Sequence, residues 1–228
     1  MDLLAELTSR GVFAIIRADT PGLALECVRT LAGAGITALE VSLTTPGAVD
    51  VITAARAEHP RSVLIGAGTV LTTGQAEAVA AAGASFAVTP GLTAGARRSV
   101  ELNVPLVCGA LTPTEVMEAL ECGATAVKVF PAGVHGPRYL RELLAPLPDA
   151  PLTAVGGVTV SEAGAYLTAG ARAVGVGSPL LGTAGSGGPQ DDLAARAAEL
   201  LAEIGRVRPE TTPSVLGAHA YHVEETRR

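Results

Sequence analysis

Eight times along the chain a short apolar run is followed by an alanine- and leucine-rich amphipathic segment. The runs cover residues 13–17, 38–43, 64–69, 86–90, 105–110, 126–131, 152–157 and 173–177. Each is short, β-branched in character and apolar on both alternating faces, the pattern of a parallel strand buried on both sides. The segments between them read as helices, entered at Thr or Ser and left at Gly. Entries fall at Thr20-Pro21, Thr45-Pro46, Thr112-Pro113 and Ser161-Glu162, and exits at Gly35, Gly83, Gly123 and Gly170. A strand–helix unit of roughly two dozen residues, repeated eight times, predicts one α/β domain, a (β/α)8 TIM barrel. A doubly wound open sheet is the alternative, and it requires no regular count of eight. The barrel is expected to span residues 1–206 with a short N-terminal helix, and residues 207–228 to form a C-terminal extension or tail. The glycine-rich stretch 182–188 reads as a flexible loop before a last helix at 191–204, since it lacks the Gly-Lys-Ser/Thr ending of a P-loop.

Composition narrows the function. A hydrophobic content of 48% is ample for one core. Aromatics at 3% with no Trp argue against a stacking platform for single-stranded nucleic acid. A net charge of −6 argues against a general polyanion binder, while leaving room for a local phosphate site. The three cysteines, Cys27, Cys108 and Cys122, have no metal-ligand spacing and read as reduced residues of a cytoplasmic protein. The N-terminus has no basic region before an apolar stretch, and no run is long enough to span a bilayer. No metal is expected: His59 and His135 lie apart, and His219 with His222 sits in the tail.

The run at 126–131 carries the chemistry. Lys128 is the only lysine in the chain; every other member of the Lys+Arg count of 16 is an arginine. An arginine stays charged, whereas a buried lysine can lose its proton and become a nucleophile that forms a Schiff base with a carbonyl. Alternation points Lys128 into the barrel with Phe130, and on the second run points Glu40 and Ser42 inward. Glu40 and Lys128 explain each other, either as a buried structural pair or as a base beside an amine nucleophile. Arg17 ends the first run, where its fork can hold a carboxylate or phosphate or pair with an acid. Thr69 closes the third run, either holding a substrate carboxylate or capping the next helix. Pro90 ends the fourth, as a pocket wall or a strand stop. Barrels often bind phosphate on backbone N–H groups after their last two strands. Here those ends carry Gly156-Gly157 and Gly177-Ser178-Pro179, with Ser178 read as the cap of a short helix.

Together Ala38-Leu39-Glu40-Val41-Ser42-Leu43, Gly66-Ala67-Gly68-Thr69-Val70-Leu71, Val88-Thr89-Pro90-Gly91, Lys128-Val129-Phe130-Pro131 and Val155-Gly156-Gly157-Val158 resemble the 2-keto-3-deoxy-6-phosphogluconate (KDPG) aldolases. The resemblance runs in order from Val12 to Leu181. It implies a class I aldolase without a cofactor, commonly a homotrimer. Such an enzyme cleaves a small phosphorylated keto acid to pyruvate and glyceraldehyde 3-phosphate. Lys128 then matches the Schiff-base lysine and Glu40 the acid/base. Thr69, Pro90 and Phe130 match the pyruvate pocket, and Gly156, Gly157, Gly177 and Ser178 the phosphate site. Two positions depart. Thr44 stands where many members have a carboxylate-binding arginine, and Val155 where many have threonine. Both changes, with Gly136-Pro137-Arg138-Tyr139-Leu140, look like the relatives acting on the C4 epimer, 2-keto-3-deoxy-6-phosphogalactonate (KDPGal). Pro90-Gly91-Leu92-Thr93 looks like the phosphogluconate branch. The rivals are a dual-epimer aldolase, a barrel synthase or isomerase using lysine as a charge, and a non-catalytic phosphate-binding barrel.

Overall fold

The structure, a computed structural model, describes residues 1–207. Eight parallel strands close into a barrel in sequence order, with the last pairing to the first. They are β1 (Val12–Ile16), β2 (Ala38–Ser42), β3 (Leu64–Gly68), β4 (Ala87–Val88), β5 (Leu106–Ala110), β6 (Ala126–Val129), β7 (Leu152–Val155) and β8 (Val174–Val176). Helix α1 (Leu3–Arg10) precedes them. The crossovers contain α2 (Pro21–Gly33), α3 (Ala48–Glu58), α4 (Thr73–Ala81), α5 (Ala94–Glu101), α6 (Pro113–Glu121), α7 (Gly136–Leu144) and α8 (Ala163–Thr168). A four-residue helix, α9 (Ser178–Leu181), and the long α10 (Gln190–Val207) follow β8. The expected (β/α)8 barrel is present, and all eight expected runs contain a strand.

The outward strand residues, among them Ile16, Val41, Ala67 and Val127, pack with the helices into one continuous core. The inward residues form a second, smaller one from Phe13, Phe86, Val107, Ala126 and Val155. Leu3 and Leu7, one turn apart on α1, are buried in this inner core. Full burial is worth roughly 1.5–3 kcal/mol for each such side chain, so α1 is held as a stopper under the barrel. Phe13 and Phe86 meet edge to face, with ring centroids 6.5 Å apart. They fit because the neighbouring strands carry glycine: a Cβ on Gly66 would lie 2.5 Å from the Phe86 ring, and one on Gly175 2.6 Å from Phe13. The lower barrel is therefore filled, and the polar inward side chains sit above it, toward the C-terminal ends of the strands.

Local chemistry explains most boundaries. Thr20, Thr72, Thr93 and Thr112 each cap a helix through the side-chain oxygen, and at Thr72 and Thr112 a Gln or Glu three residues on completes a capping box. Two expected caps move. The third helix starts after Gly47 in the left-handed conformation, because the Thr45 hydroxyl instead accepts the Ala18 N–H at 3.1 Å. Thr159, not Ser161, makes the box with Glu162, and a 3-10 turn over Val160–Glu162 precedes α8. The stretch at 182–188 lies in the connection from α9 to α10. It contains a 3-10 turn, Ala184–Ser186, and Gly185 accepts the Asp19 N–H at 2.9 Å. A Cβ on Gly185 would overlap the Arg17 carbonyl oxygen, so the segment is packed against the end of β1. The tail, with His219 and His222, lies outside the described residues.

Candidate active site

Lys128 projects from β6 into the upper barrel and is 6% exposed. Its register partners are Gly109 on β5 and Thr153 on β7. Gly109 leaves space there for a reason of its own, since a Cβ at that position would overlap the Pro90 carbonyl. The Lys128 Nζ lies 4.9 Å from the centroid of the Phe130 ring, which closes over it from the strand end. Burial pushes the Lys128 pKa below that of an ordinary lysine; the charge of Glu40 partly offsets this, and the Arg17 charge adds to it.

Glu40 on β2 is 2% exposed, and its Oε2 has no hydrogen-bond partner among the described residues. A buried polar atom left unsatisfied costs about 1–3 kcal/mol. Burial raises the Glu40 pKa, with the charges of Lys128 and then Arg17 pulling the other way. Its carboxyl occupies the space above Gly68, where a Cβ would overlap Oε1. None of the ion pairs formed among the described residues includes Glu40, Lys128 or Arg17. The two inward charges feel each other without touching, so the buried structural pair does not form. What remains is an unpaired amine and an unpaired carboxyl facing one space.

Arg17, just past β1, is exposed, and its Nε donates to Thr44 Oγ1 at 3.0 Å rather than pairing with an acid. Thr44 Oγ1 lies 2.9 Å from Ser42 Oγ, and Ser42 Oγ lies 3.2 Å from Thr69 Oγ1. Thr69 does not cap α4; Thr72 does. It adopts φ 61°, in the left-handed region that a β-branched residue avoids. Such backbone conformations cost of order 1–3 kcal/mol and persist where the surroundings dictate them.

The remaining predicted residues, Val155 apart, lie at the rim. Phe130 is 38% exposed, and a Cβ on Gly156 would lie 2.7 Å from its ring. Gly156 accepts the Gly133 N–H at 2.8 Å, and a Cβ on Gly133 would sit 2.7 Å from the Gly157 carbonyl. The loops after β6 and β7 therefore touch at backbone distance. Pro90 is exposed at the end of β4, and Val155 is buried in the inner core at 2% exposure. Gly177, not Ser178, caps α9; Leu180 and Leu181 both donate to its carbonyl, and Ser178 is the first helical residue. The Ser178 N–H, in the first turn, has no intrahelical partner.

Sequence reasoning missed four supporting residues. Gly68 and Thr153 follow from alternation, counted two residues from Gly66 and Val155. Arg196 on α10 donates to the Leu180 and Leu181 carbonyls at 2.6 and 2.8 Å, clamping the end of α9. Tyr166 on α8 donates to the Ala132 carbonyl at 3.1 Å, bracing the turn after Phe130-Pro131. No local pattern marks either of these long-range contacts. Among the described residues no group of three or more His, Cys, Asp or Glu could hold a metal ion, and no helix is long and apolar enough to cross a membrane.

Fold and site together define a parallel eight-stranded barrel equipped for carbonyl chemistry by a dehydrated amine and a neighbouring carboxyl. The family model described as KDPG and KHG aldolase matches residues 4–188. The chain belongs to that family, whose named relatives are aldolases. It is 39% identical over 175 residues to the 2-dehydro-3-deoxy-6-phosphogalactonate aldolase of Escherichia coli strain K12, covering 76% of this chain and 85% of the relative. The solved native KDPGal structure superposes with a TM-score of 0.80 at 35% identity, covering 86% of this chain and 95% of that one. The KDPG aldolase from Legionella pneumophila, solved with pyruvate captured at low pH as a covalent carbinolamine intermediate, gives a TM-score of 0.74 at 29% identity, covering 90% and 97%.

Proposed function

We propose that this chain is a class I aldolase that cleaves 2-keto-3-deoxy-6-phospho sugar acids to pyruvate and glyceraldehyde 3-phosphate. One observation carries the reading: Lys128 is buried at the barrel mouth with a lowered pKa and no ion pair, beside an equally buried Glu40. The neutral amine attacks the C2 carbonyl to give a carbinolamine, and loss of water leaves a protonated imine. Glu40 shuttles the protons of that dehydration and then removes the C4 hydroxyl proton. The C3–C4 bond breaks, its electron pair moves through C3 into the imine, and the aldehyde departs. Protonation of the enamine at C3 and hydrolysis return pyruvate and free Lys128. General acid/base help of this kind is worth about 10²–10⁴-fold. The carbinolamine seen in the Legionella pneumophila relative is the first of these intermediates.

Thr69, Pro90 and Phe130 surround the pyruvate moiety, with Arg17 and Thr44 at its carboxylate. Backbone N–H groups around Gly156, Gly157, Gly177 and Ser178 hold the phosphate. Both C4 epimers are substrates in this reading. Val155, buried and apolar, offers no hydrogen bond to a substrate hydroxyl, and the relatives include both KDPGal and KDPG aldolases. The assembled form is a cytoplasmic homotrimer, with residues 1–206 as the catalytic barrel and 207–228 as an extension. The test is borohydride reduction with pyruvate followed by peptide mass spectrometry. A pyruvyl adduct on Lys128 that vanishes in Lys128→Arg is expected; an adduct elsewhere overturns the mechanism.

A further inference from the structure

Four polar side chains from the ends of three adjacent strands meet in a single line at the barrel mouth. Arg17 Nε donates to Thr44 Oγ1, which lies 2.9 Å from Ser42 Oγ, which lies 3.2 Å from Thr69 Oγ1. Distances alone do not say which hydroxyl donates to which. The arginine does, because a guanidinium can only donate and carries a charge. Accepting from a cation makes the Thr44 hydroxyl a stronger donor and a poorer acceptor. Its proton therefore turns toward Ser42. The Thr44 backbone N–H reaches the same Ser42 oxygen at 3.4 Å, a second donor on one acceptor. Ser42 is wholly buried, and its single proton has one acceptor left, Thr69 Oγ1. Every hydroxyl is then spoken for except that of Thr69, whose own proton is free. Its left-handed backbone, at φ 61°, sets the hydroxyl against Ser42 instead of against the first turn of the next helix, which Thr72 caps.

We propose that Ser42 is a positioning residue that fixes Thr69 as a hydrogen-bond donor aimed into the barrel mouth, with the direction of the chain set by Arg17. The group it receives is the carboxylate of the keto acid, so the inference rests on the function proposed above. A chain polarised from a cation also delivers part of the arginine's charge to a hydroxyl without bringing a second arginine into the mouth. This lets the site manage with Thr44 in place of a cation.

The test is the pyruvate concentration dependence of borohydride trapping on Lys128, together with steady-state cleavage. Ser42→Ala is expected to raise half-saturation by pyruvate and substrate KM about tenfold, the scale of one lost hydrogen bond. Maximal trapping and kcat should move less than about twofold, the signature of lost uniform binding. Ser42→Thr keeps the hydroxyl and should restore half-saturation. Thr69→Val should match Ser42→Ala, and the double variant should be no worse than either single one. An adduct in the wild type whose half-saturation is the same in Ser42→Ala overturns this inference alone. So does a fall in maximal trapping without a change in half-saturation, or additive losses in the double variant. If the wild type forms no pyruvyl adduct, the Schiff-base reading fails, and this inference with it.

Discussion

Gly68 and Glu40 occupy one volume: a Cβ on residue 68 would overlap Glu40 Oε1, so the buried carboxyl stands where the next strand's side chain would be. The glycine is thus a condition of the site and has no other evident role in the inner core. Gly68→Ala is expected to displace Glu40 and to lower kcat toward the 10²–10⁴-fold loss of an absent acid/base, with overpacking costing about 1–3 kcal/mol of stability. Cleavage kinetics beside a denaturation curve checks this. Normal kcat in a folded variant would show that Glu40 has another place to sit.

The pH dependence of adduct formation tests the electrostatics. Only the neutral amine attacks, so pyruvate trapping should rise with pH through the depressed Lys128 pKa. The Glu40 carboxylate raises that pKa, and Arg17 lowers it. Glu40→Gln should therefore move the acid limb to lower pH, even as it slows cleavage by about 10²–10⁴-fold. A limb that stays put means Glu40 is uncharged when Lys128 titrates.

Stability carries the same signs. Lys128 binds its proton less tightly when folded than the ordinary lysine value of 10.5, so its charged form costs stability at low pH. That cost is relieved as pH rises from the folded value toward 10.5. Glu40 does the reverse: its raised pKa means that stability is lost as pH rises from 4.5 through its folded value. Lys128→Met should remove the first dependence and keep the second, which thermal unfolding across pH would reveal. Unfolding curves with the same pH slope in both proteins would place Lys128 in water, not in the barrel.

How much of this was legible beforehand follows from how local each cause is. Strand count, barrel closure, and the inward phase of Lys128 and Glu40 are consequences of alternation and repeat length, which a sequence displays directly. Gly66 and Gly68 fall on the inward phase of the same alternation, but were not read that way, because their purpose appears only once Phe86 and Glu40 fill the spaces above them. The cap at Thr45 was misread because its hydroxyl had a tertiary partner, Ala18, which outcompeted the helix. In the segment 182–188 one glycine has a tertiary cause that no local pattern displays: a Cβ on Gly185 would overlap the Arg17 carbonyl oxygen. Arg196 and Tyr166 act across long stretches of chain, and nothing near them in sequence announces it.

The phosphate end makes its own prediction. A Cβ on Gly177 meets nothing closer than 3.6 Å, but φ −106° with ψ −111° lies outside the regions that a side chain readily allows. Gly177→Ala should therefore cost about 1–3 kcal/mol of stability, read from a denaturation curve, while placing a methyl group beside the Ser178 N–H. KM for the phosphorylated substrate should rise at least about tenfold, the scale of one lost charge-assisted contact, with pyruvate trapping unaffected because pyruvate has no phosphate. An unchanged KM would move the phosphate elsewhere.

Val155 carries the question of stereochemistry. It is buried in the inner core of the barrel, packed close to Gly175 and Phe13, and its side chain offers no hydrogen bond. A pocket that merely packs against a hydroxyl-bearing carbon discriminates weakly, whereas one built to hydrogen-bond that hydroxyl rejects the wrong arrangement strongly. The two C4 epimers should then be cleaved with kcat/KM values within about tenfold of each other. Val155→Thr adds a hydroxyl at nearly constant volume, in a site where an unsatisfied group costs about 1–3 kcal/mol. The variant should lose stability when empty and shift its preference toward the phosphogluconate form, the epimer whose C4 hydroxyl the new threonine is expected to bind. Steady-state cleavage of the two pure epimers by both proteins measures this. A wild-type preference above about a hundredfold exceeds what a packing difference supplies, and would assign the choice to a polar contact other than residue 155.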